Sequence, residues 1–219
     1  EYLKILISAM DFAYSDRAKY LGDPDFVKVP QDKLTSKKYA NEIYQFIKKE
    51  KQPSKGGVKI RESEETTHFS ILDKWGNAVS NTYTLNTAYG SGIVPSKTGI
   101  LMNNEMDDFS SKPGYPNTYG LIGSEANKIE PRKTPLSSMS PVIVFQDDKP
   151  FLITGSPGGS TIITSVLQEI LNVLDFQMSL EESSDKSRIH FQHLPDILFH
   201  EKLENSLVQN LEKDKKLIK

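Results

Sequence analysis

The hydrophobic period of the chain changes at Thr66, and this change limits the fold more than any other feature. Over residues 2–21 and 36–49, apolar side chains recur at spacings of three and four, which predicts two amphipathic helices. From Thr66 the period is two, because residues 67–72 alternate between two faces, which predicts a strand with one well-buried face. The two periods together predict sheet layers covered by helices, an α/β or α+β fold.

A polar segment, residues 50–65, lies between these two parts of the chain. It is charged and is interrupted by Pro53 and a glycine pair. Such a composition cannot bury enough apolar surface to become ordered on its own, so we expect an exposed linker. The predicted division is therefore residues 1–65, helices followed by the linker, and residues 66–219, the region with the chemistry.

Two β-hairpins are predicted in the second part, over residues 68–85 and 141–155, because alternating segments flank short turn sequences. The strongly apolar segment 161–176 follows a glycine-rich turn and predicts a helix that is buried on most sides. Ser179 and Glu182 have the spacing of a capping box, which predicts the start of a further helix.

Composition excludes several classes of protein and site. The net charge of −2 gives no electrostatic reason to expect nucleic acid as a partner. The chain has no cysteine, which excludes disulfides, thiolate metal sites and cysteine nucleophiles. No apolar run reaches the roughly 18 residues of a membrane span. No spacing of histidines and carboxylates suggests a metal site, so we expect neither a metal nor another cofactor.

Thr66 opens the predicted strand, and the residues alone leave three interpretations of it. In the first, it only starts the strand, for which threonine is well suited. In the second, its hydroxyl is activated by His68, which lies two residues away on the same face. In the third, the chain is cut before Thr66, and the new α-amine, with a pKa of roughly 7.7–8.0, accepts the hydroxyl proton. The linker that ends at this point favours the third.

The glycine-rich segment "GSPGGS", residues 155–160, lies between a predicted strand and a predicted helix. It can be a plain turn, or it can cradle a phosphate on the N–H groups at the helix start. It lacks the lysine of a P-loop and the spacing of a dinucleotide fingerprint. The same geometry makes an oxyanion hole from the N–H groups of Gly158 and Gly159.

Two polar clusters complete the candidate residues. The segment "NNEMDDFS", residues 103–110, contains two amides and three carboxylates, which suit an ammonium group. The segment "PLSSMSP" carries Ser137 and Ser138, whose hydroxyls can donate to a carboxylate. Each cluster alone is typical of a loop, but together they would recognise an α-amino acid.

Five motifs resemble γ-glutamyltranspeptidases in sequence and order. They are "YSDRAKYLGDPDFVKVP", "TTHFSILDKWGNAVSNTYTLNTAYGSGIV", "GILMNNEMDDFSSKPG", "PLSSMSP" and "GSPGGS". The resemblance implies an N-terminal-nucleophile hydrolase fold of four αββα layers and autocatalytic cleavage into a large and a small subunit. On this reading, residues 1–65 are similar to the end of the large subunit and residues 66–219 to most of the small one. The chain then looks incomplete at both ends.

The resemblance also assigns catalytic residues by position. Thr66 matches the nucleophile and the first residue of the small subunit. Thr84 matches a second threonine, whose hydroxyl orients and activates the amine of the nucleophile. Gly158 and Gly159 match the oxyanion hole.

Substrate-binding residues follow from the same comparison of motifs. Asn86, Glu105 and Asp108 match the residues around the α-amino group of the substrate, although many relatives have glutamine where Glu105 stands. Ser137 and Ser138 match the residues that bind the α-carboxylate. The resemblance implies transfer of γ-glutamyl groups from glutathione and related compounds to water or to amino acids and peptides. It also implies a periplasmic or extracellular location, and we expect any signal peptide to lie outside this sequence.

The chain departs from the family pattern at several points. The large-subunit arginine that pairs with the substrate carboxylate lies upstream of Glu1 in the family, and Thr161 stands where arginine is common. Two alternatives therefore remain beside the transferase. The chain is a catalytically incomplete piece of such an enzyme, or it belongs to a related acylase that takes another acyl group, such as a glutaryl amide. Asp108 argues against the acylase, because a substrate without an α-amine leaves this carboxylate unpaired.

Overall fold

The computed structural model describes residues 1–49, 58–60 and 66–213. Most of the predicted linker, residues 50–57 and 61–65, lies outside the described residues. In chain order the helices and strands are α1 (Tyr2–Tyr20), α2 (Gln31–Leu34), α3 (Lys37–Lys49), β1 (Val58–Ile60), β2 (Thr67–Leu72), β3 (Ala78–Tyr83), β4 (Val142–Gln146), β5 (Lys149–Thr154), α4 (Ile162–Leu174), α5 (Leu180–Asp185), β6 (Arg188–His190), β7 (Leu198–Glu201) and α6 (Asn205–Lys213).

These elements belong to two compact units that alternate along the chain. The first unit, here called the three-segment unit, consists of Glu1–Arg61, Met106–Leu136 and Ser187–Lys219. The second, here called the hairpin unit, consists of Glu62–Glu105 and Ser137–Lys186. Their limits differ from the predicted division at residue 66, because that division follows the expected cut in the chain and the units follow packing.

The three-segment unit has its core on one face of α1. Leu6, Ile7, Met10 and Tyr14 are buried at helical spacing, as the amphipathic pattern predicts. The helix ends before Gly22, where a side chain would overlap the carbonyl group of Ala126, so only glycine allows this approach. The predicted helix over residues 36–49 is also present as α3, although none of its side chains is buried.

Side-chain contacts join the first segment of this unit to its other two segments. Asp23 Oδ2 accepts a hydrogen bond of 2.8 Å from the N–H of Thr134. Asp11 Oδ1 lies 2.7 Å from Nδ1 of His193, which comes from the third segment. The strands show the same pattern, since β7 lies between β1, parallel to it, and β6, antiparallel to it.

The hairpin unit contains both predicted hairpins. Strands β2 and β3 pair in antiparallel register, with Thr67 opposite Tyr83. Strands β4 and β5 are joined by Asp147 and Asp148, whose φ angles of +50° and +59° suit a two-residue hairpin turn. Two serine hydroxyls join the hairpins through β5, where the carbonyl groups of residues 153 and 154 accept hydrogen bonds of 3.0 and 2.8 Å.

The helices of the hairpin unit follow the glycine-rich segment. Helix α4 begins with the fully buried Ile162 and is held to β5 by the hydroxyl of Thr154, which donates to Oε2 of Glu169 at 2.8 Å. Helix α5 begins with the predicted capping box, because Ser179 and Glu182 satisfy each other's backbone N–H groups.

The predicted burial of the β2 face is wrong. Phe69 and Ile71 are 42% and 52% exposed, although they lie on the same face of the strand as predicted. The second half of α4 is also more open than predicted, since Leu174 is 43% exposed. Alternation identifies the side chains that share a face, but burial requires a second layer, and these faces remain open to solvent among the described residues. No described helix has both the length and the apolar composition that would cross a bilayer.

Candidate active site

Thr66 lies immediately before β2, and its backbone is strained. Its φ angle is +83°, a left-handed value that is unusual for a β-branched residue and costs about 1–3 kcal/mol. Its hydroxyl donates a hydrogen bond of 3.1 Å to Oγ1 of Thr84. Thr84 is the residue directly after β3, the other strand of the hairpin. The hairpin register therefore brings together the two threonines that the sequence assigns to catalysis.

Thr84 and Asn86 form a second contact that fixes the end of this strand. The N–H of Asn86 donates to Oγ1 of Thr84 at 2.9 Å, so the Thr84 oxygen accepts from two donors. Asn86 is 3% exposed and has a φ angle of +77°, which asparagine tolerates better than most residues. Its Nδ2 donates to the carbonyl of Asn104 at 3.3 Å, which holds the segment after β3 against residues 103–105.

The amides of the polar cluster have a structural role that the sequence did not reveal. Oδ1 of Asn104 accepts from both the N–H and the hydroxyl of Thr87, each at 3.2 Å. Oδ1 of Asn103 accepts from the N–H of Glu105 at 3.0 Å, where a short 3₁₀ helix begins. Glu105 and Asn86 both belong to the hairpin unit.

Asp108 belongs to the three-segment unit, whereas the other predicted site residues belong to the hairpin unit. Within its own unit it lines a cavity of about 120 Å³ together with Arg17 and Asn127. Asn127 Nδ2 donates to the backbone carbonyl of Asp108 at 2.7 Å, which fixes the backbone there. Burial lowers the pKa of the Arg17 guanidinium, and the nearby Tyr14 and Asp108 oppose this effect. No motif or spacing in the sequence indicates that Arg17 lies beside Asp108.

Ser137 and Ser138 lie in an irregular segment before β4. The Oγ atom of Ser137 accepts the N–H of Met139 at 3.0 Å, and Ser137 is exposed. The carbonyl of Ser138 accepts the hydroxyl of Ser140 at 3.2 Å. The Ser137 hydroxyl keeps its own hydrogen as a donor, which is what binding a carboxylate requires.

The glycine-rich segment makes a strained turn at Gly158. Its φ angle is +137°, and a side chain there would overlap Oγ1 of Thr161, so glycine is required. The carbonyl of Gly158 accepts from the N–H and the hydroxyl of Thr161 at 3.1 and 2.9 Å and so points toward the helix start. Because the peptide is planar and trans, the N–H of Gly159 points the opposite way, away from the start of the helix.

His68 is engaged away from Thr66. Its Nδ1 lies 2.8 Å from Oγ1 of Thr82, and its Nε2 lies 3.0 Å from Oγ of Ser70. Burial lowers the pKa of His68, and the charge of Glu169 opposes this effect. Since both ring nitrogens contact other hydroxyls and Thr66 contacts Thr84, this geometry does not support His68 as the base for Thr66.

No group of three or more histidine, aspartate or glutamate side chains within the described ranges is placed to hold a metal ion. The described residues of the site supply a hydroxyl nucleophile, Thr66, with a hydroxyl partner, Thr84, and backbone N–H donors. Such a set can attack a carbonyl group and stabilise the oxyanion that forms.

Comparison with known proteins gives consistent matches. A family model described as gamma-glutamyltranspeptidase matches residues 1–219. The chain is 54% identical over 205 residues to the glutathione hydrolase proenzyme of Escherichia coli (strain K12), a match that covers 91% of this chain and 35% of that protein. The chain spans about a third of the length of the curated relatives it matches.

Solved structures give the same result for the fold. A threonine-to-alanine mutant of Helicobacter pylori γ-glutamyltranspeptidase superposes with a TM-score of 0.66 at 54% identity, over 70% of this chain and 83% of that chain. Cephalosporin acylase from Bacillus halodurans superposes with a TM-score of 0.76 at 24% identity, over 98% of this chain and 37% of that chain. These likenesses confirm the predicted fold class, a mixed α/β N-terminal-nucleophile hydrolase.

Proposed function

Because the chain belongs to the γ-glutamyltranspeptidase family, we propose that its polypeptide cuts itself before Thr66 and then transfers γ-glutamyl groups through that residue. The observation that carries the proposal is the hydrogen bond of 3.1 Å between the hydroxyls of Thr66 and Thr84. The names of two relatives, both glutathione hydrolase proenzymes, support glutathione as a donor and processing of a precursor. Water, amino acids and peptides are the proposed acceptors.

The first reaction is the cut between Glu65 and Thr66. The Thr66 oxygen attacks the carbonyl carbon of Glu65, the C–N bond breaks, and the proton of the hydroxyl passes to the departing nitrogen. The product is an ester with a free α-amine on Thr66, and water then hydrolyses the ester to a carboxylate. The φ angle of +83° supports this step, because strain of about 1–3 kcal/mol at the nucleophile is released when the chain is cut.

The second reaction is turnover. The α-amine of Thr66 accepts the hydroxyl proton while the oxygen attacks the γ-carbonyl of the substrate. Thr84 orients the amine and the hydroxyl, and the N–H groups of Gly158 and Gly159 stabilise the oxyanion. Collapse of the intermediate expels the amine of the donor with the proton and leaves a γ-glutamyl ester on Thr66. Water or an acceptor amine attacks this ester and regenerates the enzyme.

Recognition of the γ-glutamyl group is proposed to use its two charges. Asn86, Glu105 and Asp108 supply the oxygens for the α-ammonium group, and the hydroxyls of Ser137 and Ser138 donate to the α-carboxylate. The support is the chemistry of these side chains together with the family pattern. The two cleavage products, a large and a small subunit, are the proposed partners, and a periplasmic or extracellular location follows from the family resemblance.

A related acylase is the competing function, and a glutaryl substrate distinguishes the two. A glutaryl anilide has the same scissile bond as a γ-glutamyl anilide but lacks the α-amine. The proposed transferase prefers the γ-glutamyl compound, because a glutaryl group has no α-ammonium to bind the oxygens of Asn86, Glu105 and Asp108. Equal or greater turnover of the glutaryl compound would favour the acylase.

The test uses the polypeptide expressed from its complete reading frame. Thr66→Ala removes the nucleophile, so we expect one uncut chain by denaturing electrophoresis and intact mass, and no hydrolysis of γ-glutamyl-p-nitroanilide. Thr66→Ser is the matched control, since it keeps the hydroxyl and should retain both cleavage and measurable turnover. A cut chain or steady turnover in Thr66→Ala would contradict the proposal. Failure of the unsubstituted protein to turn over the substrate would favour a catalytically incomplete protein.

A further inference from the structure

His68 connects the strand that follows Thr66 to the strand that leads into the glycine-rich segment. Its Nε2 atom lies 3.0 Å from Oγ of Ser70 on the same strand. The hydroxyl of Ser70 in turn donates a hydrogen bond of 3.0 Å to the carbonyl of Ile153 on β5. On the other side of the ring, Nδ1 lies 2.8 Å from Oγ1 of Thr82 on β3. The imidazole therefore contacts β3 through Thr82 and is linked to β5 through the hydroxyl of Ser70.

The direction of these hydrogen bonds fixes the tautomer of His68. Ser70 has one hydroxyl hydrogen and donates it to Ile153, so its oxygen must accept from Nε2. The proton of a neutral ring is then on Nε2, and Nδ1 must accept from the hydroxyl of Thr82. The lowered pKa of His68, caused by burial, agrees with a neutral ring.

The same ring also sets the position of Gly155, the first residue of the glycine-rich segment. A Cβ atom on Gly155 would overlap the His68 ring, so the ring lies directly against the Gly155 backbone. His68 thus contacts Gly155 directly and holds Ile153 through Ser70. Both contacts lie within three to five residues of Gly158 in sequence, and His68 lies two residues from Thr66.

We propose that His68 is a positioning residue, which sets the separation between Thr66 and the oxyanion donors of Gly158 and Gly159. The proposal rests on the proposed function. His68 acts through the glycine-rich segment and contacts no reacting atom. A displacement of about 1 Å between nucleophile and oxyanion site can lower turnover about 100-fold, so an effect on kcat is expected with little effect on KM.

Two substitutions of His68 separate its contacts. His68→Gln places an amide near the position of Nε2 and can still donate to Ser70, whereas His68→Asn reaches only the position of Nδ1. Ser70→Ala breaks the same connection from an exposed residue, so it tests the proposal even where a change at His68 prevents folding. His193→Asn, in the three-segment unit, is the matched control for loss of a histidine.

We expect His68→Asn and Ser70→Ala to lower kcat for γ-glutamyl-p-nitroanilide about 10- to 100-fold, with KM changed less than about threefold. His68→Gln should keep at least about a third of kcat, and His193→Asn should match the unsubstituted protein. In the uncut Thr66→Ala protein, ¹⁵N imidazole NMR should show the Nε2–H tautomer of His68, an assignment that needs no activity.

The outcomes separate this proposal from the proposed function. Absence of Thr66-dependent turnover in the unsubstituted protein would overturn both. With turnover present, kcat within twofold in His68→Asn and Ser70→Ala would overturn only the positioning role. An Nδ1–H tautomer would also overturn the positioning role, because Nε2 would then carry no hydrogen to donate to Ser70. Equal losses in His68→Gln and His68→Asn would contradict the Nε2 connection.

Discussion

Gly158→Ala is the substitution whose effect the structure defines most sharply. Gly158 has a φ angle of +137° and a ψ angle of +8°, a conformation that costs a residue with a Cβ atom about 1–3 kcal/mol. The new Cβ would also overlap Oγ1 of Thr161. Thr161 is buried and donates to the carbonyl of Gly158, so moving it away forfeits a hydrogen bond of about 1 kcal/mol. The total cost to folding is about 2–4 kcal/mol.

The same strain should appear in catalysis, because a change in the φ and ψ angles of Gly158 also displaces the N–H of the next residue, Gly159. We expect kcat to fall about 100-fold with KM nearly unchanged, measured with γ-glutamyl-p-nitroanilide alongside urea unfolding. Gly76→Ala is the matched control. Gly76 also has a positive φ angle, +90°, but nothing lies within 4 Å of its Cβ position. This variant should lose stability and keep kcat.

A second variant separates the two causes of strain. Thr161→Ala in the Gly158→Ala background removes the overlap but leaves the unfavourable φ angle, so part of the stability should return. If Gly158→Ala kept kcat within twofold while losing stability as expected, Gly158 and Gly159 would not form the oxyanion hole. If it lost no stability at all, the conformation described for this turn would be wrong.

Three further predictions concern recognition, pH and association. Asp108→Ala should lower kcat/KM for γ-glutamyl anilide by the equivalent of about 2–5 kcal/mol, because a charge-assisted bond to the α-ammonium is lost. The kcat/KM for glutaryl anilide should stay unchanged. An unchanged preference between the two compounds would contradict the assignment of Asp108 to the ammonium site. Burial lowers the folded-state pKa of His68, so the stability that its neutral ring contributes is complete above about pH 6.5 and is lost as pH falls toward the folded pKa. In the uncut Thr66→Ala protein, His68→Gln should therefore reduce the fall in melting temperature between pH 7 and pH 5. The same fall with and without His68→Gln would contradict this prediction. Residues 1–219 expressed alone should self-associate, because the apolar side chains of Trp75 and Ile71 are 76% and 52% exposed. Light scattering measures this association, and Trp75→Lys should reduce it. A monomer at all concentrations would contradict the prediction.

Local features of the fold could be predicted from the sequence because their causes are local. The turn at Asp147 and Asp148 and the capping box at Ser179 and Glu182 each depend on a few adjacent residues, and both are present. The Thr66–Thr84 contact could also be anticipated, since the family pattern names both residues and the hairpin register brings them together.

Features that depend on distant segments could not be predicted. The alternating pattern correctly placed Phe69 on one face of β2 with Thr67 and Ile71, but it does not reveal whether another layer covers that face. Nothing in the local sequence indicates that Arg17 lines the same cavity as Asp108, or that His68 lies against Gly155. These contacts arise from packing between segments about 90 residues apart, and a period or a motif carries no information about them.

The alternation of the two units along the chain has a consequence for how the processed protein refolds. A cut before Thr66 leaves the first segment of the three-segment unit on one product and its other two segments on the other product. Contacts such as those of Asp23 with Thr134 and of Asp11 with His193 then join two molecules. Refolding of the uncut chain is a first-order process, but recovery of the cut protein from denaturant becomes second-order and depends on concentration. The proposed cut would therefore make dilution an obstacle to regaining these contacts.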